Sequence, residues 1–160
     1  MIHALLEKAF RSLTCPTAAE LRQALESLPI GLESIAPYIP EPTNLPYGRK
    51  VLLATEHVEI VLILLPPAEE SAPHNHGESF GWEWILSGDL TNIIYSLAED
   101  GHEVLPEKMV TVGAGEFCYV APKEIHAIRN QGETPVVSLN AYTPPLNKCK
   151  KYEKTGNAII

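Results

Sequence analysis

Pro73-His74-Asn75-His76-Gly77-Glu78-Ser79-Phe80-Gly81-Trp82-Glu83-Trp84-Ile85-Leu86-Ser87-Gly88 is the stretch on which the reading of this chain turns. Two histidines one residue apart stand at the mouth of an apolar, aromatic-rich run that reads as a strand and ends at a Ser87-Gly88-Asp89 turn. In extended chain, alternate side chains share a face about 6.5–7 Å apart. That spacing lets two imidazoles converge on one metal ion at about 2.0–2.1 Å each. The question for the rest of the sequence is what supplies a third ligand.

Upstream, Ile2, Leu5, Leu6, Ala9, Phe10 and Leu13 recur at helical spacing and predict a helix over 2–13. Thr17 followed by Glu20 is a capping box, and Leu21, Ala24, Leu25 and Leu28 mark one face of a second helix closed by Pro29 and Gly31. From Gly31 to Gly48 the prolines Pro37, Pro40, Pro42 and Pro46 predict an irregular wrapping connection. The texture changes at Arg49: short apolar or alternating segments at 49–55, 58–65, 80–86, 89–97, 108–112, 116–120, 125–130 and 135–143 predict antiparallel strands. Ser87-Gly88-Asp89 and Glu99-Asp100-Gly101 read as hairpin turns. The expectation is an all-β, jelly-roll-like barrel with N-terminal helices. It is a single domain over 1–160, with a helical cap at 1–36, the barrel and metal site at 47–145, and a basic, then loosely apolar tail from Lys148 to Ile160.

A net charge of −8, with no basic cluster, argues against nucleic acid. The longest apolar run, Ile60 to Leu65, has six residues and is too short to span a bilayer. The amphipathic N-terminus is unlike a secretory signal. Cys15, Cys118 and Cys149 are odd in number and widely spaced, so reduced thiols and a cytoplasmic location are expected. The expected assembly is a monomer or weak homo-oligomer.

Of six histidines, His3 and His102 read as surface residues and His57 as ambiguous, whereas His126 opens a late strand that a barrel brings beside His74 and His76. Gly88 lies twelve residues after His76, and Pro122, His126 and Asn130 form a Pro-x-x-x-His-x-x-x-Asn element. These spacings resemble the two sequence motifs of the cupin superfamily. The first cupin motif adds a glutamate ligand four or five residues after the second histidine; Phe80 and Gly81 hold those places here, and Glu78 and Glu83 are out of register for it, with Glu83 left open as a ligand by the sequence alone. Three neutral imidazoles leave the +2 charge of an ion uncompensated, which favours an anionic ligand such as a thiolate. Three facial ligands on an octahedral ion leave room for a bidentate substrate and dioxygen.

From about residue 37 to 150 the chain resembles the cysteine dioxygenases, three-histidine cupins. Tyr47-Gly48-Arg49, His74-Asn75-His76, His126 with Asn130, and Val137 to Pro145 occur in the family's order. The resemblance implies a thiol dioxygenase with Fe(II) on His74, His76 and His126, oxidising L-cysteine with O₂ to cysteine sulfinate. It implies that Arg49 binds the substrate carboxylate, a task suited to a planar, permanently charged guanidinium. Tyr47 would support that pocket. Tyr142 would stand over substrate and oxygen as donor or proton source, and Ser138 would belong to the chain of hydrogen bonds that orients it. Two departures stand out. Gly81 occupies the position at which mammalian members carry a cysteine cross-linked to the tyrosine, so Tyr142 is expected to stay a free phenol. Asn140 replaces the histidine of the family's Ser-x-His-x-Tyr pattern and cannot titrate near neutral pH. Alternatives are a dioxygenase of another small thiol, 3-mercaptopropionate, and a non-catalytic cupin that binds metal or ligand.

Overall fold

The computed structural model describes residues 1–156. Helix α1 (Ile2–Phe10) buries Ile2, Leu6 and Phe10, spaced four apart on one stripe. It stops short of the expected 13: Leu13 N–H folds back onto Phe10 O, and Cys15 takes a left-handed backbone (φ 44°). In α2 (Ala18–Glu26) the capping box forms, with Thr17 Oγ1 accepting from Glu20 N–H and Glu20 Oε2 from Thr17 N–H. The segment after Gly31 is more regular than its prolines suggest. A one-turn helix α3 (Leu32–Ile35) runs into a 3₁₀ turn, Ala36–Tyr38. Ser34 Oγ holds both the N–H and the C=O of Gly31 at 2.9 Å, while Pro37 sits in the first turn of the 3₁₀ segment, where its missing N–H costs nothing.

The strands form two sheets. One, in spatial order β1-β2-β9-β4-β7, contains β1 (Gly48–Ala54), β2 (Glu59–Leu65), β4 (Phe80–Ser87), β7 (Phe117–Val120) and β9 (Val136–Thr143). The other, β10-β3-β8-β5-β6-β11, contains β3 (His74–Asn75), β5 (Asp89–Leu97), β6 (Glu103–Gly113), β8 (Ile125–Arg129), β10 (Lys150–Lys151) and β11 (Glu153–Lys154). The sheets face each other as a nearly closed barrel, and all eight predicted strands are present. Three expectations change. His74-Asn75 is a short strand of its own, in the sheet opposite the aromatic run, because Gly77 (φ 60°) turns the chain between them. Ser87-Gly88-Asp89 is a corner from one sheet to the other, since β4 and β5 do not pair. The strand expected over 108–112 extends from 103 to 113, carrying Pro106 at an irregularity in its pairing with β5.

Parity along the strands decides which face each residue serves. Ile60, Leu62, Val137, Leu139 and Ala141 point outward and pack with Leu6, Phe10, Leu21 and Leu25 of the helices. Val61, Ile63, Leu65, Ile85, Val136 and Tyr142 point into the barrel against Leu90, Val112 and Ile128 of the second sheet. Each fully buried Leu, Ile or Phe contributes about 1.5–3 kcal/mol of transfer free energy. No described helix is long and apolar enough to cross a membrane.

Gly81 lies opposite Tyr142, where β4 and β9 approach so closely that a Cβ on residue 81 would fall 1.8 Å from Ala141 O. Gly81→Ala therefore forces backbone apart and is expected to lower stability by roughly 2 kcal/mol or more, read as a shifted urea midpoint. Gly81→Cys is expected to do the same rather than place a thiol beside the phenol.

Candidate metal centre

His74 of β3 pairs directly with His126 of β8, so the ladder between two strands fixes the separation of two imidazoles. His76 follows β3 two residues later on the same side. The three ring centroids lie 4.9, 4.8 and 5.1 Å apart, and one nitrogen from each ring falls within 4.8 Å of the others. His74 Nδ1 lies 2.8 Å from Ala72 O, and His126 Nδ1 lies 2.9 Å from Asn92 Oδ1. As a carbonyl oxygen only accepts, both rings carry their proton on Nδ1 and leave Nε2 as a lone pair. His126 Nε2 and His76 Nδ1 are buried without any partner. Buried imidazole nitrogens without a partner are costly unless something fills them, and a divalent cation would fit that donor set.

Burial pushes all three imidazoles below the ordinary histidine pKa: His76 to about 3, helped by neighbouring His74 and Arg49, and His126 well below. The cluster is thus neutral at pH 7, the form in which imidazole binds a metal.

A cavity of about 50 Å³ fronts the cluster, lined among others by Tyr47, Arg49, Glu83, Asn140 and Tyr142. It shares Tyr47, Arg49, His74, His76 and Leu146 with a cleft of about 520 Å³. A larger cleft of about 870 Å³ meets the cluster only at His76. Arg49 heads β1 and donates from Nη2 to Glu59 Oε2 at 3.1 Å, which leaves other guanidinium N–H groups for the cavity. Tyr47 is half-buried, and burial raises its phenol pKa.

Tyr142 is buried against His76, with ring centroids 4.9 Å apart, and burial together with the nearby Glu83 holds its pKa well above 10. Asn140, two residues back on the same face, donates from Nδ2 to Tyr142 Oη at 3.3 Å. Ser138 is buried two residues further back but bonds to neither among the described residues. Asn130, the end of the downstream motif, brackets the chain instead, donating to Leu65 O and Thr134 O.

Three participants take roles that the sequence reading did not assign them. Asn92, in the middle of β5, orients His126. Glu83 is inside the barrel and accepts from Asn92 Nδ2 at 2.9 Å rather than joining the histidines. Period-2 parity with Gly81 and Ile85 marks its inward position. Asn75, between the two histidines, bonds the tail: its Oδ1 accepts from Lys150 N–H and its Nδ2 donates to Tyr152 Oη.

The class follows from this architecture: a cupin barrel carrying a cluster of three histidines that could hold a metal ion. A protein with a double-stranded β-helix domain from Klebsiella pneumoniae matches with TM-score 0.59 at 22% identity, over 75% of this chain and 95% of that one. An oxalate oxidase bound to the substrate analogue glycolate matches with TM-score 0.57 at 16% identity, over 70% and 58%. The Schizosaccharomyces pombe Cnp3 cupin domain matches with TM-score 0.51 at 14% identity, over 63% and 68%. Within that class, residues 45–155 match the family described as cysteine dioxygenase type I, and the chain belongs to it.

Glu83 yields a test of the site's electrostatics. Burial, only partly offset by the Asn92 hydrogen bond, lifts its carboxyl from 4.5 to about 7. The folded protein therefore holds a proton that the unfolded chain releases, so this group costs nothing below about pH 4.5 and its full penalty above about pH 7. Glu83→Gln is expected to match the parent near pH 4 and to exceed it by on the order of 3 kcal/mol above pH 7, at about 1.4 kcal/mol per unit. Urea unfolding at a series of pH values measures the gap.

Proposed function

We propose that this chain is a thiol dioxygenase that uses Fe(II) and O₂ to convert L-cysteine to cysteine sulfinate, both oxygen atoms entering the sulfur. The observation that carries this reading is the convergence of three neutral imidazoles beside Arg49 and Tyr142 in a family of cysteine dioxygenases. His74, His76 and His126 would hold the metal, which would supply a Lewis-acidic, redox-active centre for a thiolate and dioxygen. With no carboxylate among the ligands, the site keeps more positive charge for an anionic substrate than a two-histidine, one-carboxylate site does.

Arg49 takes the substrate carboxylate through the N–H groups that Glu59 leaves free, and Tyr47 walls that side of the cavity. Tyr142 is a neutral phenol at physiological pH, since its pKa is held high. Its oxygen already accepts from Asn140, so its O–H is left to donate into the cavity toward sulfur or oxygen. Asn140 thus supplies the hydrogen bond expected of the family's histidine at this place, without its titration. Ser138 backs Asn140 on the same face of β9. The whole chain acts as one cupin domain, 1–36 as cap and 47–145 as barrel, working as a cytoplasmic monomer or weak homo-oligomer on small molecules alone, with no nucleic acid or membrane partner.

Purified protein loaded with Fe(II) is expected to consume O₂ and release cysteine sulfinate; absence of uptake with cysteine overturns the assignment. 3-Mercaptopropionate, which lacks the α-amine, is expected to give the lower kcat/KM, and the reverse order would make it the substrate. Arg49→Gln is expected to lose about 10–100-fold in kcat/KM, mainly through KM, as one charge-assisted carboxylate contact is worth about 1.5–3 kcal/mol. Tyr142→Phe is expected to lower kcat by about 10²-fold or more with KM little changed. Steady-state oxygen-electrode kinetics separate the two.

A further inference from the structure

We propose that Glu83 and Asn92 are positioning residues that set the tautomer of His126 and thereby aim its Nε2 at the metal. This rests on the metal site of the preceding section but not on its substrate.

Three buried side chains from three strands form the chain of bonds. Asn92 is 1% exposed, Glu83 2% and His126 1%. Asn92 Nδ2 donates to Glu83 Oε1 at 2.9 Å and lies 3.4 Å from Cys118 Sγ, so both acceptors within reach draw the amide NH₂ to one side. The amide oxygen is left facing His126 Nδ1 at 2.9 Å. An oxygen there fixes the proton on Nδ1, and the Nε2 lone pair is then the unpartnered atom turned toward His74 and His76. Without the acceptor at residue 83, only the weak acceptor Cys118 Sγ holds the NH₂, and Asn92 can rotate to present it to His126. The ring would then carry its proton on Nε2, where it blocks a metal. Either protonation state of Glu83 serves, because a neutral carboxyl still offers its carbonyl oxygen.

The other two histidines lack this device. His74 is set by a backbone carbonyl, and His76 Nδ1 has no partner at all. The cluster therefore relies on residues 83 and 92 for the one ring that its late strand supplies. The glutamate absent among the ligands at Phe80 and Gly81 has a counterpart two hydrogen bonds behind His126.

Asn92→Leu and Glu83→Leu are expected to weaken Co(II) binding about 10–100-fold, the range for loss of a group that orients a metal-ligating histidine. Glu83→Gln, which keeps an acceptor oxygen, is expected to bind Co(II) within about threefold of the parent. Competitive titration of Co(II) absorption, with no thiol present, gives these values independently of any dioxygenase activity. Metal-free protein with ¹⁵N-labelled histidine reports the tautomer directly: His126 protonated on Nδ1 in the parent and in Glu83→Gln, and shifted toward Nε2 in the two leucine variants. A parent spectrum with His126 protonated on Nε2 overturns the proposal even if the leucine variants do not fold. So do folded leucine variants with unchanged tautomer and unchanged Co(II) affinity. If cysteine is not oxidised but these results hold, only the substrate assignment fails.

Discussion

β9 is buried at all eight of its positions, Val136 to Thr143, and so has no face to spare for water. One face must satisfy the helices and the other the barrel interior. The outward residues Val137, Leu139 and Ala141 are aliphatic, and they clamp the sheet to the helices. That clamp fixes the register of the inward set, and the inward set includes Ser138, Asn140 and Tyr142. A one-residue slip would bury the polar residues against the helices and turn the aliphatic ones into the cavity. The position of the phenol over the histidines is therefore a by-product of hydrophobic packing on the far side of the strand. The near-contact of Gly81 with Ala141 O tightens the same constraint from β4.

The barrel interior then determines what the polar groups can do. Charge is expensive there, so the histidines stay neutral, the phenol stays protonated and Glu83 resists ionising. Arg49, at the rim, is the one guanidinium lining the inner cavity, and Glu59 already balances part of its charge. A site so arranged has little negative charge to offer a cation. Its affinity depends on ring orientation, which is why hydrogen bonds at Nδ1 matter more here than in a carboxylate-rich site.

Much of this was legible in the chain. Short apolar or alternating segments between turn signals located all eight expected strands, and Thr17 with Glu20 located a helix start to the residue, because both signals are local. The histidines and their convergence followed from motif spacing in a barrel. What escaped was set by contacts distant in sequence. His74-Asn75 is a strand only because β8 and the tail pair with it, and two isolated residues carry no periodicity. The passage of the chain from one sheet to the other at Gly88 is decided by global topology, whereas Ser-Gly-Asp reads locally as a hairpin. Asn92 looked like any polar residue in a strand, since its partners Glu83, Cys118 and His126 lie nine or more residues away.

The bond between Asn75 and Tyr152 joins residues 77 positions apart, and β10 closes on β3 from the same distant segment. At synthesis rates of about 5–20 residues per second, the His-x-His segment waits about 4–15 s before its anchor has been made. The aliphatic clamp between β9 and the helices needs nothing beyond residue 143 and can close earlier. Assembly therefore has an order built into the chain: scaffold first, ligand edge last. Only once the chain has been made through Lys151 is the His74-Asn75 strand paired on both of its edges, by β8 and by β10.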